Sequence, residues 1–184
     1  MYFTFTSTDS RTLFSSLILF VFIRIFFSIS NHKKLLKIIS FIILIVPLVI
    51  TQLSNYLLEY NDELDEILSN RLYFNSLFLN KMSLINYIAG GLSPDKLYLT
   101  VDNGFLLLEA STGIFFLFFT FYITIKKIHY CIDKHEPELC ALIISFWYFS
   151  FSESSLVRPE AIMGLIFWSL ILNPIIIKKH QAVL

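Results

Sequence analysis

Five long apolar runs leave this chain few ways to fold. They cover roughly 13–30, 35–53, 104–125, 137–153 and 161–177. A helix needs about 20 apolar residues to cross a bilayer, and four of the runs reach that range. The fourth does so only with its flanks, from Pro137 to Glu153. Leu, Ile and Phe fill the runs without the strict alternation of a barrel strand. Hydrophobic residues make up 56% of the 184 positions and charged ones 15%. A soluble domain is usually about 45–50% apolar and about 25% charged, and a domain this small has no interior able to hide the surplus. The expected fold is therefore all-α: one polytopic membrane domain of about five transmembrane helices, with a large, partly helical external loop at 54–103.

Composition also excludes partners. Lys plus Arg equals Asp plus Glu at 14 each, so no basic excess points to nucleic acid. Two cysteines, Cys131 and Cys140, are too few for a disulfide framework. The start, MYFTFTSTDSRTLF, lacks a basic cluster, and no small-residue cleavage site follows. The first run is thus expected to be a helix of the mature chain.

Basic residues between the runs set an orientation. One side carries Lys33, Lys34, Lys37, Lys126, Lys127, Lys134, Lys178 and Lys179, with only three acids. The other carries Arg11, Arg71, Lys81, Lys96 and Arg158, with ten acids. The expectation is N-terminus out and C-terminus in. Within the outer loop, Leu57, Leu58, Leu64, Ile67 and Leu68 recur at helical spacing between acids, which predicts an amphipathic helix with a solvated acidic face. Leu72 to Ile88 is apolar enough to lie on a membrane or re-enter it. Ala89-Gly90-Gly91 and Ser93-Pro94-Asp95 then break the pattern.

Ionisable residues beside membrane helices need a reason. The guanidinium of Arg71 suits an anionic ligand, since its planar fork matches phosphate; it equally suits an ion pair with Asp65 or Glu66. Glu153 and Arg158 flank an external turn and would pair there or serve a site. Asp102 or Asn103 makes a good N-cap for the third run, while a carboxylate at that outer face would also accept a proton. Glu109, one to two turns into the run, must be protonated, paired or hydrated, with Arg71 or Arg158 as possible partners. Arg24 is expected to snorkel to the inner face. His129, Cys131, Asp133, His135 and Glu136 are metal-type ligands without zinc spacing. No metal and no cofactor are expected.

Three local patterns go further. Asp102-Asn103-Gly104-Phe105-Leu106-Leu107-Leu108-Glu109, followed by Gly113-Ile114, resembles the Asp-Asn opening of a late helix in bacterial O-antigen and capsular polysaccharide polymerases. These are the Wzy-type enzymes, related to the O-antigen ligases. Leu68-Ser69-Asn70-Arg71 is similar to their Leu-Ser-x-Arg element in the large external loop, and Gly90-Gly91 to the glycine closing that loop. Phe151-Ser152-Glu153-Ser154 resembles their Glu-Ser step at the outer end of the next helix. The resemblance spans about 62–177 and corresponds to the C-terminal half of such a polymerase. These enzymes are about twice as long, so it implies a split or truncated product, or a reduced relative.

The resemblance implies a glycosyltransferase of the bacterial cytoplasmic membrane. It would polymerise repeat units carried on polyprenyl pyrophosphate, in contact with the bilayer and with other polysaccharide-assembly membrane proteins. Arg71 and Arg158 would clamp the pyrophosphate beside Asn103, and Asp102 or Glu153 would serve as base. Two other classes fit the composition: a transporter or flippase component for lipid-linked glycans, hinted at by Glu109 and Pro47, and a non-catalytic subunit or remnant.

Overall fold

In the computed structural model, residues 7–30, 32–60, 62–68, 70–92, 102–153 and 162–172 are described. Among them the chain is all-helical, without a strand. The elements are α1 (Ser7–Ile29), α2 (Lys33–Gln52), α3 (Ser54–Tyr60), α4 (Asp62–Ile67), α5 (Arg71–Lys81), α6 (Leu84–Ala89), α7 (Gly104–Thr112), α8 (Ile114–Lys134), α9 (Pro137–Ser152) and α10 (Ile162–Leu172). Two helices, α2 and α8, are long and apolar enough to cross a membrane. At 1.5 Å per residue each is about 30 Å long, close to the thickness of a hydrocarbon core.

The long helices pack side by side. The main partners are α1 with α9, α2 with α8, and α9 with both α2 and α8. Trp147 of α9 sits at the centre, 1% exposed. Phe105, Phe121 and Phe167 surround its ring at centroid distances of 4.8, 6.0 and 6.1 Å. Its Nε1 donates to Leu44 O at 2.9 Å. Pro47 lacks an N–H and opens the α2 ladder at that turn, so the indole donor joins two helices where the backbone bonding is weakest. The outward faces stay apolar: Phe22 is 67% exposed, Ile38 58% and Phe118 59%. Water penalises so extensive an apolar surface; hydrocarbon does not.

Several expected elements differ in detail. The 104–125 run is not one helix. It breaks at Gly113 (φ +88°) into α7 and α8, and α8 continues to Lys134. The break is stitched from outside the run. Gly91 N donates to Ser111 O and Leu92 N to Ala110 O, at 3.0 and 2.9 Å, while Gly113 N donates to Glu109 O at 2.7 Å. Those bonds satisfy carbonyls that a helix end leaves open, so Gly91 and Leu92, with Gly113, close the end of α7. The amphipathic helix expected over 57–68 is two short helices, α3 and α4. Its faces are also not as expected, because Ile67 is 77% exposed and Asp65 only 6%. Leu72 to Ile88 likewise divides into α5 and α6 around Met82 and Ser83. The expected fifth helix, 161–177, is described only over Ile162–Leu172.

Charged residues gather at both ends of the bundle. At one end Arg24 Nη2 lies 3.2 Å from Glu138 Oε1, and Lys37 Nζ lies 2.8 Å from the Asp133 carboxylate. Lys33 Nζ donates to Asp133 O at 3.0 Å. Arg24 is therefore held by an ion pair at the helix end, where the sequence suggested simple snorkelling. The other end carries the residues considered next.

Candidate functional site

The site is built around α5, which begins at Arg71. Its first turn is capped from a distance. Asp65 Oδ1 accepts from Leu72 N at 2.8 Å and Tyr73 N at 3.3 Å. A carboxylate at a helix N-terminus satisfies open N–H groups and suits the positive end of the dipole. Asp65, buried for this task, thus fixes where α5 starts and where Arg71 stands. Replacing it with alanine should cost about 1–2 kcal/mol, the usual value of a cap, while Asp65→Asn keeps the acceptor and should lose less. Thermal unfolding of the purified variants measures both.

Arg71 reaches across to α9. Its Nη1 donates to Ser152 O at 2.6 Å. A cation on the last carbonyls of a helix complements the dipole, so Arg71 joins α5 to the end of α9, one residue before Glu153. One turn along α5, on the same face as Arg71, is Asn75. It is 2% exposed, and its Oδ1 accepts from Asn103 Nδ2 at 3.4 Å. No described residue accepts from Asn75 Nδ2.

Asn103 is the N-cap of α7. Its Oδ1 accepts from Phe105 N and Leu106 N at 3.0 and 3.3 Å, and its Nδ2 also donates to Thr51 Oγ1 at 3.1 Å. It is 2% exposed, whereas its neighbour Asp102 is exposed to solvent. The pair therefore divides its labour: Asn103 anchors α7 to α2 and α5, and Asp102 offers its carboxylate outward.

Glu109 lies deeper, fully buried in α7. Its partner is neither arginine considered from the sequence. Gln52 Nε2 donates to Glu109 Oε2 at 2.6 Å, and Tyr87 Oη donates to Gln52 Oε1 at 3.2 Å. Partial burial, and next the Glu109 charge, push the Tyr87 phenol above its ordinary value, so it keeps the proton it donates. This chain of contacts ties α6 to the ends of α2 and α7. Among the described residues Glu109 Oε1 has no partner.

Of the five residues expected at a site, four lie at this end of the bundle. Arg71 sits against α9 beside Glu153, and the Asp102-Asn103 step is joined to the same face of α5 through Asn75. Arg158 lies outside the described residues, as does the turn after Glu153. Thr51, Gln52 and Asn75 were not singled out from the sequence, and Asp65, considered there as an ion-pair partner of Arg71, caps α5. Asn75 left a faint signal, an amide within the apolar stretch Leu72–Leu79 four residues after Arg71. A guanidinium, two carboxylates and an orphaned amide donor would together suit an anionic, hydroxyl-bearing ligand. No family model, no curated protein and no solved structure matches this chain.

Proposed function

We propose that this chain is a membrane glycosyltransferase that polymerises polyprenyl-pyrophosphate-linked oligosaccharide repeat units at the outer face of a bacterial cytoplasmic membrane, or the C-terminal half of such an enzyme. In this reading five helices span the bilayer, the N-terminus lies outside and the C-terminus inside. The bilayer and other polysaccharide-assembly proteins are its surroundings. The observation that supports the reading is that α5 carries two links at the end of the bundle opposite Lys33, Lys37 and Asp133: Arg71 donates to the Ser152 carbonyl, one residue before Glu153, and Asn75, one turn on, accepts from Asn103.

The chemistry follows from those groups. Transfer breaks the bond between the anomeric carbon and the pyrophosphate oxygen and forms one to an acceptor hydroxyl of the next repeat unit. The pyrophosphate leaves on its polyprenyl chain, and Arg71 stabilises the negative charge it gains. The hydroxyl proton passes to a carboxylate, Asp102 or Glu153. The sugar crosses an oxocarbenium-like state, which a nearby carboxylate also favours. Arg158 is assigned to the same clamp on the resemblance alone.

A second reading, a transporter component for lipid-linked glycans, draws on the break at Gly113 beside buried Glu109, since broken helices with a buried ionisable group line many transport sites. Deleting the gene separates the two. A lost polymerase leaves single repeat units at the surface and no long chains. A lost transporter removes surface glycan altogether. Unchanged chain length after deletion would refute the polymerase reading for this chain.

A further inference from the structure

Two thiols meet where α8 turns into α9. The end of α8 closes by a left-handed turn at His135 (φ +56°). His135 N donates to Ile132 O at 3.2 Å, and Glu136 N donates to Cys131 O at 3.0 Å. Pro137 then opens α9, and Cys140 N donates to Glu136 O at 3.1 Å. One residue, Glu136, thus holds the backbones of Cys131 and Cys140 from its two sides. The side chains follow the backbone. Cys140 Sγ lies against the facing turn of α8 and donates to Ile128 O at 3.7 Å. Cys131 stands three residues further on the same face of α8. The two thiols are hydrogen-bonded to each other, and both are fully buried.

The pair is nevertheless reachable. Both cysteines line a cavity of about 160 Å³, whose wall also includes Lys33, His135 and Glu136. His135 and Glu136 are exposed, so the cavity reaches solvent at this end of the bundle. A cavity of about 150 Å³ takes up benzene, so the smaller hydrogen peroxide fits. Cysteines that only fill space need neither a partner thiol nor a path to water. We infer that Cys131 and Cys140 form a peroxide-responsive dithiol site that closes reversibly to a disulfide across the α8–α9 turn. One thiolate attacks a peroxide oxygen, the O–O bond breaks, and hydroxide leaves with the thiol proton as water. The second thiolate attacks the sulfenic sulfur so formed. The S–O bond breaks and a second water leaves. Two thiols and one peroxide become one disulfide and two waters, and a dithiol reductant reverses the change by exchange. Closure fixes the turn that carries Asp133 and Glu138, the acids that hold Lys37 and Arg24.

The test counts thiols in the full chain held in lipid nanodiscs. The folded protein is treated with hydrogen peroxide, then denatured and alkylated with N-ethylmaleimide, and its intact mass is measured. Untreated chain should take up one alkyl group on each cysteine. Treated chain should take up none, remain monomeric, and recover both groups after dithiothreitol. Dimedone present during oxidation traps sulfenic acid. It should label Cys131→Ala and Cys140→Ala, where no second thiol resolves the intermediate, and leave wild type unlabelled. Thermal unfolding of the oxidised wild type should shift upward, because the bond forms across a turn already in place. Wild type that still takes up both alkyl groups after peroxide would overturn the inference, whatever the variants do. So would a disulfide-linked dimer, dimedone label on wild type as strong as on the variants, or a downward shift in unfolding on oxidation.

Discussion

Gly113→Ala should strongly destabilise the bundle. A methyl group there would meet the carbonyl oxygen of Ile88 and approach Ala89 C to 3.1 Å, at a φ of +88° that side-chain-bearing residues rarely adopt. Gly90 is its counterpart. A methyl at Gly90, φ +74°, would lie 2.6 Å from Gly113 N and from Thr112 N and C. The obstructing atoms are backbone, so no rotamer change relieves them. Left-handed strain of about 1–2 kcal/mol and overpacking of about 1–3 kcal/mol together come to about 2–5 kcal/mol for either change. That is a large share of the 5–15 kcal/mol by which a domain is usually stable. Gly91 supplies the control. Its φ is +83°, but nothing lies within 4 Å of an added methyl, so Gly91→Ala should cost only the strain, about 1–2 kcal/mol. Thermal unfolding and elution profile of the detergent-purified variants measure the order. Gly113→Ala as stable as wild type would mean that α6 and the α7–α8 break do not touch as described.

Arg71→Ala should abolish long-chain polysaccharide with the protein still in the membrane. Removing one preorganised donor from a charge-developing site commonly costs about 100–1,000-fold in rate. A polymerase slowed that far would leave mostly single repeat units. Arg71 also holds Ser152 O at 2.6 Å, so loss of activity alone would not separate chemistry from architecture. Arg71→Lys does. A lysine keeps a cation near the end of α9 but loses the planar fork that pairs with phosphate. Stability close to wild type with activity close to Arg71→Ala is the expected result. Full activity in Arg71→Lys would assign Arg71 to helix capping. Asp102→Asn, at an exposed position that takes no part in the cap of α7, should lower activity with little change in stability.

The helical class could be read from the apolar runs, because runs of that length without strict alternation suit helices and not barrel strands. Boundaries were less legible where tertiary contacts decide them. Nothing within Gly104–Ile125 signals a break except one glycine, since the groups that stitch it, Gly91 N and Leu92 N, are remote in sequence. Asp65 read as an acid on a solvated helix or as an ion-pair partner of Arg71, and not as a helix cap. Its burial depends on α5 starting six residues later and presenting open N–H groups to it. A cap at the Asp102-Asn103 step was legible, because Asp or Asn before an apolar run carries its own local reason; that Asn103 makes it was not. The Gln52–Glu109 contact was not, because the partners are 57 positions apart and charge matching favoured the arginines. Arg71 and Glu153 could be placed on the same side from basic-residue counts, but only packing could bring α5 against the end of α9.

The most direct test of the central claim is a reconstituted reaction. The purified chain is placed in liposomes with polyprenyl-pyrophosphate-linked repeat units and no other protein, and the products are resolved by length. The account predicts a ladder of products longer than one repeat, made by wild type and lost in Arg71→Ala. Products no longer than a single repeat with folded wild-type protein, or a ladder unchanged in Arg71→Ala, would contradict it.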